Sequence, residues 1–281
     1  IEGKTMMLLH GNLMCWQQFE NLIPLLEKKF CVYAVSFDGF DGTGETTYTT
    51  AQAQADKLAE YIEKELDDLK NEVLSMWAMV YSQLNRAGEA MLSLDKDLAR
   101  EVILREKRVN AFELKIDSDC EDIIALYTPV AVDLRFVLAM LKINTNLERI
   151  ADFCEGMSRF VIDFPQISLD AELIDKTSIR EMIDTTKKMM SMGKEALEEE
   201  KSSLAAGIFE LDNRVDEINR AATEIIAKYI QDNPDRALEC LNLISIIRKM
   251  ERIGDHCNNM AEEIIFYLDA KILKHADKKA E

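Results

Sequence analysis

The sequence has few of the residues that interrupt helices, and it lacks the long apolar runs that cross membranes. Only four of its 281 residues are proline, and no apolar run approaches the roughly 20 residues that a membrane-spanning helix needs. The six cysteines form no CxxC pair, which argues against a zinc finger and favours free thiols in a reducing compartment. These absences predict a helical protein of the cytoplasm without a transmembrane segment.

Positive charge is also scarce. Lys and Arg together number 34 against 52 Asp and Glu, which leaves a net charge of −18. A field of this sign repels nucleic-acid phosphates and anionic lipids, and it concentrates cations. We therefore expect no nucleic-acid partner, and contact with a membrane only through partner proteins.

Glycine is rare after the first 44 residues, which hold five of the ten glycines. This first segment contains two apolar runs, Thr5–Leu9 and Cys31–Phe37, separated by a helix-like stretch from Trp16 to Phe30. A Gly-rich loop over residues 38–45 follows the second run. Strand, helix, strand and Gly-rich loop are typical of an α/β domain with a parallel sheet. Two strands are too few for a whole sheet, so the segment predicts a short, incomplete α/β unit.

The opening LLHGNLM and the loop FDGFDGTGET resemble the start of an α/β-hydrolase over about residues 4–65. The resemblance implies that His10-Gly11 lies near an oxyanion hole and that Asp38-Gly39 follows a strand. The nucleophile elbow of that family, G-x-S-x-G, occurs nowhere in the chain. The sequence therefore predicts no hydrolase activity, and turn formation explains these glycines equally well. A true fusion, a chimeric gene and a truncated upstream reading frame all remain open for this segment.

From about Thr50 the sequence becomes rich in Leu, Ile, Met and charged residues, with few helix breakers. This pattern predicts a mainly all-α fold. Ser93 and Asn233 are candidate helix caps. The predicted helices are residues 53–91, 95–127, 130–162, 170–200, 203–231 and 234–271.

Two segments of the helical part repeat. LERIAD, which begins at Leu147, recurs 103 residues later as MERIGD, which begins at Met250. Glu106 to Asn110 corresponds in the same way to Asp212 to Asp216, 106 residues further on. An internal duplication of this kind predicts two tandem three-helix bundles. The predicted domains are residues 1–60, 61–165 and 166–281.

The repeated acids have a spacing that places them on one helix face. Residues i and i+4 of a helix lie one above the other, so each motif presents a stacked pair of side chains. If the second and third helices of a bundle face each other, four oxygen-bearing side chains meet, as in carboxylate metal sites between helices. All-oxygen ligation favours iron, Mn²⁺ or Mg²⁺, with Zn²⁺ second. The predicted metal ligands are Asp212, Asp216, Glu251 and Asp255 in the second repeat and Glu106, Asn110, Glu148 and Asp152 in the first.

Two other interpretations of these acids remain open. Acids around an arginine often form only a solvated helix face, and Arg149 and Arg252 could pair with their neighbours as structural ion pairs. A carboxylate-bridged metal enzyme that hydrolyses phosphate esters is the alternative function. Against it, the sequence shows no general base distinct from the ligands and no Gly-rich phosphate cradle.

The motif segments LERIADFCEGMSRFVI and MERIGDHCNNMAEEII, with the Glu106/Asn110 and Asp212/Asp216 pairs, resemble the PhoU phosphate-regulation family over about residues 62–273. The resemblance implies a cytoplasmic negative regulator of phosphate uptake rather than an enzyme. It implies action with a phosphate ABC transporter ATPase and a sensor histidine kinase, and metal clusters on the motif faces. A homodimer is the default assembly.

One position departs from the family pattern. Asn110 stands where an acid would complete the first motif, while Glu113 and Glu155 lie one turn further along the same faces. A neutral carbonyl oxygen lowers the ligand charge. We therefore expect the first-repeat site to bind metal less tightly than the second.

Overall fold

Long helices dominate the part of the chain that the structure describes. The computed structural model describes residues 5–9, 19, 21–28, 31–35, 51–164 and 169–271. The fold is mainly α-helical, as predicted, and no described helix is long and apolar enough to span a membrane. The helices of the two repeats are α2 (Ala51–Ser93), α3 (Lys96–Tyr127), α4 (Ala131–Asp163), α5 (Ala171–Lys176), α6 (Ile179–Glu198), α7 (Ser202–Ala206), α8 (Ile208–Asp232) and α9 (Ala237–Asp269).

Two short strands precede the helices. β1 (Thr5–Leu9) pairs in parallel with β2 (Cys31–Val35), and Thr5 lies opposite Cys31. The sequence predicted β1 with these bounds and a second strand over residues 31–37, of which residues 36 and 37 lie outside the described residues. Of the helix-like stretch from 16 to 30, the described residues contain one helix, α1 (Ile23–Leu26). His10-Gly11 and the Gly-rich loop lie outside the described residues.

Two of the predicted helices are divided in the structure. The prediction of one helix over 170–200 was wrong because the chain breaks after Lys176, where Thr177 Oγ1 donates to the carbonyl oxygens of Leu173 at 2.8 Å and Ile174 at 3.3 Å. Ser178 follows with a φ of 52°. A side chain that competes for helix carbonyls in this way favours a bend. The helix predicted over 203–231 is likewise divided, at Gly207.

The predicted caps are also corrected by the structure. Ser93 is the last residue of α2, and its hydroxyl donates back to the carbonyl of Glu89. The cap of α3 is Asp95, whose Oδ1 accepts from the backbone N–H groups of Asp97 and Leu98. A carboxylate at this place satisfies two donors that the first turn leaves free. Asn233 makes no side-chain N-cap: its Nδ2 donates back to the carbonyl oxygen of Tyr229 at 3.2 Å, and a 3₁₀ turn, Pro234–Arg236, follows it.

The chain divides into two compact units. One contains residues 1–70 and 118–137, and the other contains residues 71–117 and 138–281. The larger unit holds all eight predicted metal ligands. This division follows spatial compactness, whereas the division into residues 1–60, 61–165 and 166–281 follows the duplication and stays a prediction.

Within the larger unit, the equivalent helices of the two repeats pack against each other. On the first helices, Trp77 Nε1 of α2 donates to the carbonyl oxygen of Met190 on α6 at 3.0 Å, and Trp77 is fully buried. On the third helices, the rings of Phe153 and His256, which are equivalent positions 103 residues apart, lie 5.8 Å from each other. The second helices, α3 and α8, carry the remaining acids of the motifs.

Candidate functional site

The first-repeat acids of α3 and α4 come together as the duplication predicts. Glu106 is buried on α3, and only 6% of its surface is exposed. Its pKa is raised to about 7, first by burial and then by the negative charges of Asp152, Glu155 and Glu148 on α4. A carboxylate in this position holds its negative charge only at a cost in free energy, which a proton or a cation removes.

Neither carboxylate oxygen of Glu106 has a hydrogen-bond partner among the described residues. The Gln83 side chain on α2 lies close enough to favour the ionised form of Glu106, although no hydrogen bond of ordinary geometry joins them. Gln83 is itself fully buried, and both of its amide atoms lack partners in the described chain. Buried polar atoms without partners are rare in folded proteins, and a cluster of them favours a ligand, an ion or a water molecule as their partner.

Asn110 is exposed on α3 between Glu106 and Glu113. Glu113 joins the cluster instead, because its pKa is raised by burial and by the charges of Asp117 and Asp152, while Arg149 lowers it. Asn144 on α4 supports this region by donating from Nδ2 to Asp117 Oδ1 at 2.8 Å. Glu113 and Glu155, the acids one turn beyond the predicted ligands, therefore lie within the first-repeat cluster. Ligation of a metal by Asn110 stays a prediction.

The second-repeat cluster consists of acids on α8 and α9. The pKa of Asp212 is raised to about 6, first by burial and then by the negative charges of Asp216, Asp255 and Glu251. Asn258 Nδ2 donates to Asp212 Oδ2 and opposes this shift. The pKa values of Glu251 and Asp255 are raised as well, again chiefly by burial. The four predicted carboxylates therefore lie close enough to repel one another, as the sequence indicated.

The motif arginines pair with the acids beside them. Arg149 Nη1 lies 3.1 Å from Asp152 Oδ2, and Arg252 Nη1 lies 3.5 Å from Asp255 Oδ2. Both arginines are largely exposed, and solvated pairs of this kind contribute little to stability. The ion pairs of the alternative interpretation are thus present, and a cation that took these carboxylates would release the arginines.

The donor set fits a hard cation, although no three His, Cys, Asp or Glu side chains of the described residues converge on one point as they stand. The groups available are carboxylates, with Asn and Gln amides beside them. The neighbouring thiols of Cys154 and Cys257 are fully buried, and burial raises their pKa values, so they stay protonated and are poor ligands. This chemistry suits iron, Mn²⁺ or Mg²⁺ better than Zn²⁺.

Sequence reasoning missed Gln83 and Asn258, the two amides beside the buried acids. Gln83 interrupts a buried apolar face of α2 formed by Val80, Leu84 and Ala87, and a polar residue in such a face is itself a signal. The duplication places Asn258 at the position of Glu155, 103 residues away. Each repeat therefore sets one amide beside its buried acid, and the two amides come from different helices.

Two three-helix bundles with facing carboxylate clusters on their second and third helices define a class of duplicated, carboxylate-bearing helical proteins. The sequence model of the PhoU domain matches residues 73–161 and 179–264, one match for each repeat. The chain belongs to the PhoU domain family. The matches cover only the helical part, so the hydrolase resemblance of residues 4–65 stays a prediction.

Several relatives are similar to the chain over most of their length. The phosphate-specific transport system accessory protein PhoU of Escherichia coli is 31% identical over 216 residues, which are 75% of this chain and 86% of that protein. PhoU homolog 1 of Thermotoga maritima is 29% identical over 76% of this chain and 91% of its own. The crystal structure of PhoU from Pseudomonas aeruginosa superposes with a TM-score of 0.68, at 28% identity, over 74% of this chain and 99% of that one.

Proposed function

We propose that this protein is a non-enzymatic regulator of phosphate uptake whose two carboxylate clusters bind metal ions. Glu106 supports the metal-binding part of this proposal, since it is buried, has no hydrogen-bond partner among the described residues and faces three other carboxylates. The regulatory part is supported by the relatives, which are named as phosphate-specific transport system accessory proteins. The proposed ligands are the eight residues predicted from the sequence, with Glu113 and Glu155 added in the first repeat.

The acids of each cluster lie on two different helices, and this gives the metal a mechanical role. A cation bound to Glu106 and Asp152 would tie α3 to α4, and one bound to Asp212 and Asp255 would tie α8 to α9. Because each cation relieves repulsion that the folded protein must otherwise tolerate, binding would stabilise the native state by mass action. Metal occupancy would therefore set how rigid the motif faces are.

Regulation is proposed rather than catalysis because, among the described residues, the carboxylates that would hold the metal have no separate general base beside them. His256 is the one histidine of the described residues, and its Nδ1 lies 2.7 Å from Asn146 Oδ1, a partner that fixes the ring. The proposed partners are a phosphate ABC transporter ATPase and a sensor histidine kinase. The protein would act in the cytoplasm as a homodimer and reach the membrane through these partners.

The proposal can be tested by expressing the full chain in an Escherichia coli strain that lacks its own PhoU and measuring the uptake of labelled phosphate. Wild-type protein should lower uptake relative to the empty vector. The double variant Asp212→Asn/Asp255→Asn should lose this effect. The matched control Asp175→Asn/Asp184→Asn, which changes two exposed acids of α5 and α6, should keep it.

Affinity capture from the same cells would test the partners. Tagged wild-type protein should retain the transporter ATPase and the sensor kinase, and the control variant should retain them equally. Unchanged uptake in cells that accumulate soluble wild-type protein would overturn the regulatory function, whatever the metal content of the protein.

A further inference from the structure

A groove of about 420 Å³ lies beside the second-repeat carboxylates, in the larger unit. Most of its wall is one face of α9, and α8 and α4 contribute one residue each. Three of the lining side chains are positively charged and one is negative, in a chain whose net charge is −18. The lining residues are Phe153, Asn219, Ser245, Arg248, Lys249, Glu251 and Arg252.

Two of the three cations in this groove have no acidic partner among the described residues. Neither Arg248 nor Lys249 forms an ion pair with any residue that the structure describes, whereas Arg252 pairs with Asp255 and, at 4.0 Å, with Glu251. The stem of Lys249 lies against Gly156 on α4, where an added Cβ would be 3.3 Å from Lys249 Cε. The backbone of α4 thus leaves room for this lysine.

The same face of the first repeat is built differently. At the equivalent positions of that repeat, Lys142 is engaged by the nearly buried Glu263 at 2.9 Å, and Asn146 contacts His256. The seven lining residues of the groove carry a net charge of +2, whereas their equivalents carry none. The duplicated helices, whose motifs otherwise match, therefore carry this excess of positive charge at one site only. The equivalents, in the same order, are His256, Glu113, Lys142, Thr145, Asn146, Glu148 and Arg149.

We propose that this groove binds a phosphate-type oxyanion. Two guanidinium groups and an ammonium group supply charge and directed donors, and the Ser245 hydroxyl and Asn219 amide can add neutral hydrogen bonds. Arginine matches tetrahedral oxyanions particularly well because its planar fork can donate two hydrogen bonds to one phosphate group. This proposal rests on the proposed function and extends it, because it gives the regulator of phosphate uptake a ligand of the phosphate type.

Arg252 connects the groove to the carboxylate cluster. Its guanidinium pairs with Glu251 and Asp255, two of the proposed metal ligands. A cation on those carboxylates would free Arg252 for the groove and add positive charge beside it. Metal and oxyanion should therefore bind with positive coupling, and by linkage each should raise the affinity for the other equally.

Calorimetric titration of the metal-free full chain with inorganic phosphate at low ionic strength tests the site. Lys249→Gln should weaken phosphate binding by about tenfold, the usual size for one charged hydrogen bond. Lys228→Gln is the matched control, because Lys228 is exposed on α8 about 13 Å along the helix from Asn219. It should bind phosphate as the wild type does. Circular dichroism would verify that all variants fold.

A second titration in Mg²⁺ tests the coupling. Phosphate affinity should rise in the wild type and stay unchanged in Asp212→Asn/Asp255→Asn. Absence of phosphate binding to the wild type, or equal weakening by Lys228→Gln, would overturn the oxyanion site. The first titration uses metal-free protein, so phosphate binding there would support the oxyanion site even if the protein took up no metal. A failure of the proposed metal binding can therefore be distinguished from a failure of the oxyanion site.

Discussion

Gly254 on α9 leaves the space that the carboxylate of Asp212 occupies. A Cβ at residue 254 would lie 2.9 Å from Asp212 Oδ1 and 3.4 Å from Val215 Cγ1. The first repeat has Ala151 at the equivalent position, and its equivalent of Asp212 is Glu106, whose side chain is longer by one methylene. The repeat with the shorter acid thus has glycine at this position, and the repeat with the longer acid has alanine.

We predict that Gly254→Ala destabilises the protein by about 1 kcal/mol and weakens metal binding in the second repeat. The methyl group should cost about 1–3 kcal/mol through overpacking, which exceeds the gain of up to about 1 kcal/mol from better helix propensity. Chemical denaturation of metal-free protein and calorimetric metal titration would measure the two effects.

The control for this prediction is the same change in an Asp212→Ala background. Without the carboxylate, the methyl group loses its nearest neighbour, and Gly254→Ala should become neutral or stabilising. An unchanged cost in that background would show that Val215 or the helix backbone, rather than Asp212, opposes the methyl group.

The double variant Asp216→Ala/Asp255→Ala should abolish metal binding in the second repeat. Wild-type protein should melt at a higher Tm with iron, Mn²⁺ or Mg²⁺, and with a smaller rise for Zn²⁺, because a hard cation relieves the repulsion among its carboxylates. Elemental analysis and a melting series would show lower metal content and a smaller rise in the variant. If both stayed at wild-type values, these acids would belong to a solvated helix face.

Asn110→Asp should increase metal affinity in the first repeat, since it adds a further carboxylate at the position where the duplication predicts one. The variant should also be less stable than the wild type without metal, because it adds negative charge near Glu106. Metal titration of Asn110→Asp in the Asp216→Ala/Asp255→Ala background isolates this site. An affinity equal to that of the background protein would remove residue 110 from the ligand set.

Glu106 should make the metal-free protein less stable as the pH rises. Its pKa is about 7 in the folded protein against 4.5 ordinarily, so the folded state retains a proton that the unfolded state has lost. The contribution of the protonated form is fully present below about pH 4.5 and is lost as the pH rises through 7, by up to about 3 kcal/mol. Glu106→Gln should match the wild type near pH 4 and exceed its unfolding free energy near pH 8, in chelator.

Glu101→Gln provides the matched control on the same helix. Glu101 is exposed, and its Oε2 accepts from Arg86 Nη1 at 2.6 Å, so its neutralisation should leave the pH dependence close to that of the wild type. An equal gain at high pH from both variants would point to the net charge of the chain rather than to the environment of Glu106.

The sequence predicted the fold well because long helices depend on periodicity that can be read locally. The two motifs and their spacing of 103 residues also predicted which acids would meet. The helix break after Lys176 could not be predicted in this way. It depends on the Thr177 hydroxyl forming a hydrogen bond with a helix carbonyl instead of with water. The cap of α3 was displaced by two residues from the prediction, because Asp95 offers a stronger acceptor than Ser93.

Only those site residues that belong to the duplicated motifs could be predicted from the sequence. Glu148 and Glu251 are found by comparing the repeats, but Gln83 lies on the first helix, where the two repeats share no visible motif. Its proximity to Glu106 arises from three-helix packing across distant parts of the sequence. The groove was missed for a related reason. Arg248 and Lys249 can be recognised as part of a groove only when the fold places Asn219 and Phe153 beside them.

Two buried cysteines, Cys154 and Cys257, lie between the two carboxylate clusters. The pKa of Cys154 is raised by burial and by the charge of Glu106, and that of Cys257 by burial, by Asp212 and by Cys154 itself. The buried acids Glu106 and Asp212 are thus connected through two neutral thiols, in a core of low dielectric where charges are screened less than at the surface. Filling one cluster would remove part of the negative field that attracts a cation to the other. Metal uptake should accordingly be anticooperative, with two separate inflections in a calorimetric isotherm even where the ligand sets are made identical.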